Sequence, residues 1–296
     1  MKYAYYPGCT IFGSGLEYQM STLAAAKELG LELVDMPDWN CCGASSSPSH
    51  GHDLTLALQA RNIAIAEEMG LDILTICNEC YNNLAHAVIL FNENPVKKDE
   101  INRLIADTGH QVKGTIKVRH LLEVVQHDIG TEALEKMVKR RLTGLRLAPY
   151  HGCLALRPPD VAIDSSENPK SMNEVLEVLG VDVVPFNQFT AACCGSSVLL
   201  TQEDVALRLS FDILKGAQDA GADAVVTMCP LCHLNLDFKQ KRMQKKYETK
   251  LEMPIIYFTQ IIGLALGIAP KKLGLEKNLT STKKIIKYVE SLPVST

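Results

Sequence analysis

Ten cysteines, set out as one five-cysteine pattern used twice, constrain this chain more than any other feature. They are Cys9, Cys41, Cys42, Cys77 and Cys80, then Cys153, Cys193, Cys194, Cys229 and Cys232. The spacing is C-x31-CC-x34-C-x2-C in the first half and C-x39-CC-x34-C-x2-C in the second, with no cysteine outside it. The flanks repeat as well. Tyr6-Pro7-Gly8-Cys9 faces Tyr150-His151-Gly152-Cys153, and Cys41-Cys42-Gly43 faces Cys193-Cys194-Gly195. Thr75-Ile76-Cys77 faces Thr227-Met228-Cys229, and Asn83-Leu84 matches Asn235-Leu236. Self-similarity on this scale is the mark of an internal duplication.

The 296 residues suffice for two cores of ordinary size. Hydrophobic residues make up 47% and charged residues 22%, the balance of a globular chain. A net charge of −4 gives no overall field to hold nucleic acid, so no nucleic-acid partner is expected. Residues 1–15 lack a basic segment followed by an apolar run, so no signal peptide is read. The apolar stretch 255–269 is short and carries Thr259 and Gln260, so no membrane span is expected. These readings point to a cytoplasmic protein. In that reducing compartment, metal ligation explains ten cysteines better than disulfides do.

Periodicity predicts the same order of elements in each half. Strands are expected at 2–6, 31–36, 72–76 and 115–118, and again at 145–150, 181–184, 224–227 and 255–258. Helices are expected at 15–29, 53–69 and 78–91, with another starting at 120–126. Their second-half counterparts are 169–179, 202–220, 230–247 and 259–266, followed by a final helix at 283–292. Short apolar strands alternating with helices imply an α/β fold: two pseudo-twofold related repeats, each a mainly parallel sheet flanked by helices. The join falls near residues 139–145. This divides the chain into 1–143, a first repeat, and 144–296, a second repeat with a C-terminal helical tail.

In open α/β sheets, sites form at the carboxyl ends of the strands. Cys9, Cys77, Cys153 and Cys229 each follow an expected strand closely, and the paired cysteines lie in the loop after another. All five of a half therefore converge at one sheet edge. Gly8, Gly43, Gly152 and Gly195 let the backbone come close to a bulky ligand. Cys77 and Cys80, like Cys229 and Cys232, enter a helix N-terminus, where free N–H groups favour thiolate. A structural zinc takes four ligands in a tetrahedron. Five thiols, two of them adjacent, suit a multi-iron cluster better, and ordinary cubane clusters use four cysteines. The zinc reading stays open beside it. A redox dithiol accounts for one CxxC but not for its companions.

The doubled C…CCG…CxxC pattern resembles the cysteine-rich CCG domain. With two copies at this length, it is similar to the B-subunit family of CoB–CoM heterodisulfide reductases, over nearly the whole chain. The resemblance implies two [4Fe-4S] clusters of the noncubane type, one on each five-cysteine set, facing each other across the pseudo-twofold. It implies reduction of the coenzyme M–coenzyme B heterodisulfide between them. It also implies partners: a small ferredoxin-like iron–sulfur protein, the C component of such a complex, and a flavin-carrying protein, its A component. A disulfide takes two electrons, so two one-electron centres flanking it match the chemistry. Other members of the family work on other sulfur substrates, or pass electrons towards quinone in dehydrogenase complexes. Both remain alternatives.

Lesser signals attach to this reading. His151, two residues before Cys153, is a candidate proton donor, as is His233 after Cys232. Each is also readable as a packed histidine bonded to the backbone. Where methanogen relatives have a polar or basic run after the cysteine, this chain has Cys153-Leu154-Ala155-Leu156-Arg157, which leaves Arg157 to meet an anionic group of the substrate. His50 and His52 read as solvated turn residues. The basic run 239–250 reads as a solvated helix face, or as a docking surface for an acidic partner. Gly13-Ser14-Gly15 is too short a glycine pattern for a nucleotide.

Overall fold

A computed structural model describes residues 1–44 and 47–294 of the chain. Its first half runs β1 (Lys2–Tyr6), α1 (Leu16–Glu28), β2 (Glu32–Asp35), α2 (His52–Met69), β3 (Ile73–Thr75), α3 (Asn78–Glu93), α4 (Pro95–Ile105), β4 (Val118–His120), α5 (Leu121–Glu123) and α6 (Thr131–Met137). A π-helical turn, Val124–Gly130, joins α5 to α6. The second half runs β5 (Arg146–Tyr150), α7 (Ser171–Val178), β6 (Asp182–Val183), α8 (Asn187–Thr190), α9 (Glu203–Asp219), β7 (Ala224–Thr227), α10 (Pro230–Phe238), α11 (Gln240–Lys246), β8 (Ile255–Tyr257), α12 (Phe258–Ala265) and α13 (Lys283–Ser291).

The strands form two four-stranded sheets, ordered β2-β1-β3-β4 and β6-β5-β7-β8, and every pairing is parallel. This is the expected α/β duplication. From the first strand of each sheet the chain steps outward to one neighbour, then back across to the other. The topological switch point therefore lies between β1 and β3, paired Tyr6 to Thr75, and between β5 and β7, paired Tyr150 to Thr227. Crevices at switch points are where such sheets take ligands.

The halves share their core. Tyr18 on α1 stacks on Tyr257 at a ring separation of 3.8 Å and donates its hydroxyl to Met228 O at 3.1 Å. Ser21 Oγ meets Thr259 Oγ1 at 2.7 Å. At equivalent places each half pairs a tyrosine with a histidine, with the two types interchanged. Tyr81 packs edge-on against His120 in the first, and His233 stacks on Tyr257 in the second. The segment after α12 also crosses over. Gln260 Nε2 donates to Leu273 O and Asn278 Oδ1, and Gly274 lies so close to α1 that an added Cβ would stand 2.9 Å from Glu17 Cα.

Three expectations need correction. The fourth strand begins at Val118, not Thr115, because carboxylates hold the segment before it. Glu67 accepts from the N–H groups of Lys113 and Thr115, and Asp72 accepts from Lys117 N–H, so these groups are taken before the ladder starts. Helix 230–247 is broken at Lys239 (φ −91°, ψ 0°). There the Gln240 side chain clamps Met253, donating to its carbonyl at 2.6 Å and accepting from its N–H at 2.9 Å, at the first residue of α11. Helix α4 was not expected. Asn94 caps it by accepting from Lys97 N–H, and Pro95 opens it.

Candidate metal centres

Each half collects its five cysteines at its switch point. In the first, Cys42 and Cys80 sulfurs approach to 3.5 Å, and Cys9 and Cys41 to 4.0 Å. In the second, Cys194 and Cys232 approach to 3.5 Å. Cys42, Cys77, Cys80 and their counterparts Cys194, Cys229, Cys232 are buried, whereas Cys9, Cys41 and Cys193 are exposed and Cys153 half-buried. Each set thus has a buried floor of three thiols and a mouth of two. The halves meet at that floor, where Asn78 of the first reaches His151 O of the second and Cys77 and Cys229 perturb each other. Cys229 raises Cys77, and Cys229 is held low by Cys232 first and then by Cys77.

The first cysteine of each adjacent pair is poised as thiolate. Hydrogen bonds from Cys42 and Cys9, helped by Gly43 N–H, pull Cys41 down to about 2. A bond from Cys153, helped by the Gly195 N–H 3.3 Å away, brings Cys193 to about 6. Gly43 and Gly195 therefore act on sulfur through their amides. The closest atoms to their missing side chains belong elsewhere: Ser47 and Thr55 for Gly43, Ala206 and Leu209 for Gly195. The close approach to sulfur comes from Gly8 and Gly152, with φ of +78° and +75°. A Cβ there would stand 3.2 Å from Cys80 Sγ and 3.3 Å from Cys232 Sγ.

His151 is fully buried, and both ring nitrogens are engaged. Nδ1 meets Thr190 Oγ1 at 2.9 Å, while Nε2 meets Ser171 Oγ at 3.1 Å and accepts from Met172 N–H at 3.1 Å. Burial lowers it to about 4. These bonds tie the β5 loop to α7, which is a positioning arrangement. His233 is likewise buried, with Nε2 on Ile255 O at 3.1 Å and Nδ1 3.8 Å from the Glu17 carboxylate. Burial lowers His233 to about 4 and raises Glu17 to about 7. Arg157 is exposed beside the second set, its guanidinium donating to Ala191 O and Ser166 O. It braces the loop that leads to Cys193 and retains outward-facing surface. His50 and His52 are exposed.

Sequence reasoning missed three residues of α3. Asn78 is buried. Its Nδ2 donates across the pseudo-twofold to His151 O at 2.7 Å, and its Oδ1 receives no hydrogen bond. Glu79 is almost buried, near Cys229 and Cys41, and burial first, then those thiols, raises it to about 7. Asn82 donates to Leu154 O at 2.9 Å and Arg157 O at 2.7 Å, holding the loop after Cys153 from the other half. A signal existed. The second-half counterparts of these three are Pro230, Leu231 and Leu234, so the repeat changes from polar to apolar just where the halves meet.

The donor sets fit an iron–sulfur group. Five thiols converge, the amides of Gly43 and Gly195 favour thiolate, and glycine occupies the positions where a Cβ would crowd sulfur. No helix among the described residues is long and apolar enough to cross a membrane. A cavity of about 1000 Å³ lies elsewhere, at the amino-terminal edge of the second sheet between α10, α11 and α13.

Comparison with known proteins agrees with this geometry. The family described as "CCG: Cysteine-rich domain" matches residues 3–85 and 147–237. The 8-methylmenaquinol:fumarate reductase membrane anchor subunit of Wolinella succinogenes is 36% identical over 96% of this chain and 99% of its own length. The B subunit of the ferredoxin/F420H2-dependent CoB–CoM heterodisulfide reductase of Methanosarcina acetivorans is 32% identical over 94% of this chain and 93% of its own. A hypothetical protein from Helicobacter pylori shares the fold with a TM-score of 0.76 at 15% identity, across 95% of this chain and 52% of that one.

Proposed function

Because this chain belongs to the cysteine-rich CCG domain family, with heterodisulfide reductase B subunits among its relatives, we propose that it is a catalytic iron–sulfur subunit that reduces a disulfide to two thiols. The coenzyme M–coenzyme B heterodisulfide is the foremost substrate. The observation that carries the reading is the pair of complete five-cysteine sets, each with three buried thiols, in halves joined beside them by the Asn78 bond to His151 O.

The reaction is R–S–S–R′ + 2e⁻ + 2H⁺ → RSH + R′SH. Cys9, Cys41, Cys42, Cys77 and Cys80, and Cys153, Cys193, Cys194, Cys229 and Cys232, would each hold a noncubane [4Fe-4S] group, which would supply single electrons. The chain's own residues do the rest. The buried floor keeps water from Cys42, Cys77 and Cys80 and from Cys194, Cys229 and Cys232, while the exposed mouths leave each set open to a substrate. Asn82 and His151 hold the loop that carries Cys153 in place. Glu79, raised to about 7 by burial first and then by Cys229 and Cys41, is a carboxyl able to hold a proton for a departing thiolate. Arg157, at the mouth, meets an anionic end of the substrate. The chain shows no nucleotide-binding glycine motif, so electrons come from partners, the ferredoxin-like C component and the flavin-carrying A component of the complex.

Iron, acid-labile sulfide and zinc assayed on protein prepared without oxygen test this. About eight irons and eight sulfides per chain, with oxidation of the reduced protein by a disulfide, support it. About two zincs and no sulfide end it. The Wolinella relative favours a second reading, an electron-transfer subunit of a quinol-linked reductase. In that case the reduced protein is indifferent to disulfides and reacts with a quinone analogue once its partner subunits are present.

A further inference from the structure

The cavity at the amino-terminal edge of the second sheet is far from the chemistry, and its walls are unusual. Phe238 and Leu279 line it and remain 59% and 63% exposed, and Tyr288 lines it with 39% exposed. Lys241 on α11 and Lys284 on α13 line it too. Helical spacing sets Lys245 one turn from Lys241, and Lys287 about one turn from Lys284. All four lysines are exposed, and none takes part in a salt bridge among the described residues. Two of the three lining acids are engaged, and only the exposed Glu252 stands against the lysines. Asp237 is buried and accepts from Leu279 and Thr280 N–H, Asp223 pairs with Arg146, and Glu252 is the third.

The charge is not an accident of a basic chain. The protein as a whole carries −4, yet residues 271–294 hold six lysines against Glu276 and Glu290, so the remainder is more acidic than the total. Large apolar side chains left in water within a ring of unpaired lysines are the surface that an anionic lipid interface recognises. The rings and Leu279 enter the headgroup boundary, and the ammonium groups meet phosphate. Because no described helix is able to span, attachment of this kind is peripheral.

We infer that the face formed by Phe238, Leu279 and Tyr288 with Lys241, Lys245, Lys284 and Lys287 docks the protein on an anionic membrane surface. The cysteine sets lie at the opposite, carboxyl ends of the strands, so docking leaves them open to redox partners. This goes beyond either redox reading and does not depend on the substrate.

Co-sedimentation tests it, with the full chain prepared anaerobically and vesicles of phosphatidylcholine alone or with about one-third phosphatidylglycerol. The expected result is binding to the anionic vesicles only, reversed by salt. The double variant Lys241→Glu/Lys284→Glu should weaken binding by about thirtyfold or more, and Phe238→Ser/Leu279→Ser should weaken it while leaving salt sensitivity in place. Iron content and redox activity should not change in either, because both pairs are surface residues remote from the cysteines. Equal binding to neutral vesicles, no binding to either, or binding unaltered by the variants overturns the inference. So does finding that the lysine variant loses a protein partner but no lipid, which assigns the face to an acidic protein. Failure of disulfide reduction, with vesicle binding intact, bears only on the redox proposal.

Discussion

Asn82 is the sharpest test of how the halves hold each other. Its amide donates to Leu154 O and Arg157 O, one residue and four residues past Cys153, from a helix of the other half. Asn82→Leu removes both bonds while keeping the branching at Cγ. A net hydrogen bond is worth about 1 kcal/mol, and a carbonyl left unpaired in the interior loses about 1–3 kcal/mol. The loop is only partly buried, so water reaches these carbonyls and the lower figure applies to each. The expected loss is about 2 kcal/mol, partly offset by the apolar surface that leucine buries. Urea unfolding of the metal-free protein measures it, with limited proteolysis to show whether residues 154–168 loosen. The iron count should also fall, and fall in the second set first, because Cys153 rides on the released loop. Stability within about 0.5 kcal/mol of wild type, with unchanged proteolysis, refutes the idea that α3 holds that loop.

Further outcomes follow from the same geometry. Gly195→Ala puts a side chain at φ +81° with its Cβ 2.8 Å from Ala206 Cα, a backbone contact that cannot swing away, so it should destabilise by about 2–4 kcal/mol in urea unfolding. Gly30→Ala, with φ +70° and nothing within 4 Å, should lose only about 1 kcal/mol. In metal-free protein, mass mapping after brief iodoacetamide treatment at neutral pH should find Cys41 and Cys193 labelled first, being exposed and held as thiolates, and early labelling of Cys42 or Cys80 would contradict this. His151, neutral in the fold down to about 4, takes up a proton in the unfolded chain below its ordinary 6.5. Its contribution is therefore complete above that value and is lost as pH falls through the window towards 4. Against His151→Gln, the wild-type advantage should shrink by about 2 kcal/mol between pH 7 and pH 5, and parallel curves would show that the ring is not buried neutral.

The strands and their succession along the chain were legible because each buried strand is a short apolar run bounded by glycine or a helix cap. Their carboxyl ends were legible because cysteine follows so closely. The fourth strand was misplaced because its start depends on Glu67 and Asp72, carboxylates distant in sequence that take the N–H groups before the ladder begins. The break at Lys239 was invisible for a similar reason: the residues around it favour helix, and a clamp on Met253 overrides them. At the centres, the cysteines that converge follow directly from spacing. Their neighbours were harder, because spacing does not say which way a ring turns. His151 looked like a proton donor by position, and only Thr190, Ser171 and Met172 show both its nitrogens engaged. Asn78, Glu79 and Asn82 are marked by a lapse in the repeat, and the close match of the halves on either side of that lapse hides it.

The crossing of the segment after α12 has a consequence for how the protein is made. Gly274 seats against Glu17, and Asn278 and Leu273 tie down Gln260, behind the helix that carries Cys229 and Cys232. The back wall of the second centre is therefore completed by residues synthesised long after the first repeat has emerged. A nascent chain has all of the first cysteine set in hand while the second is still unwalled. The surroundings of the second set are therefore the last part of the fold to be completed as the chain grows.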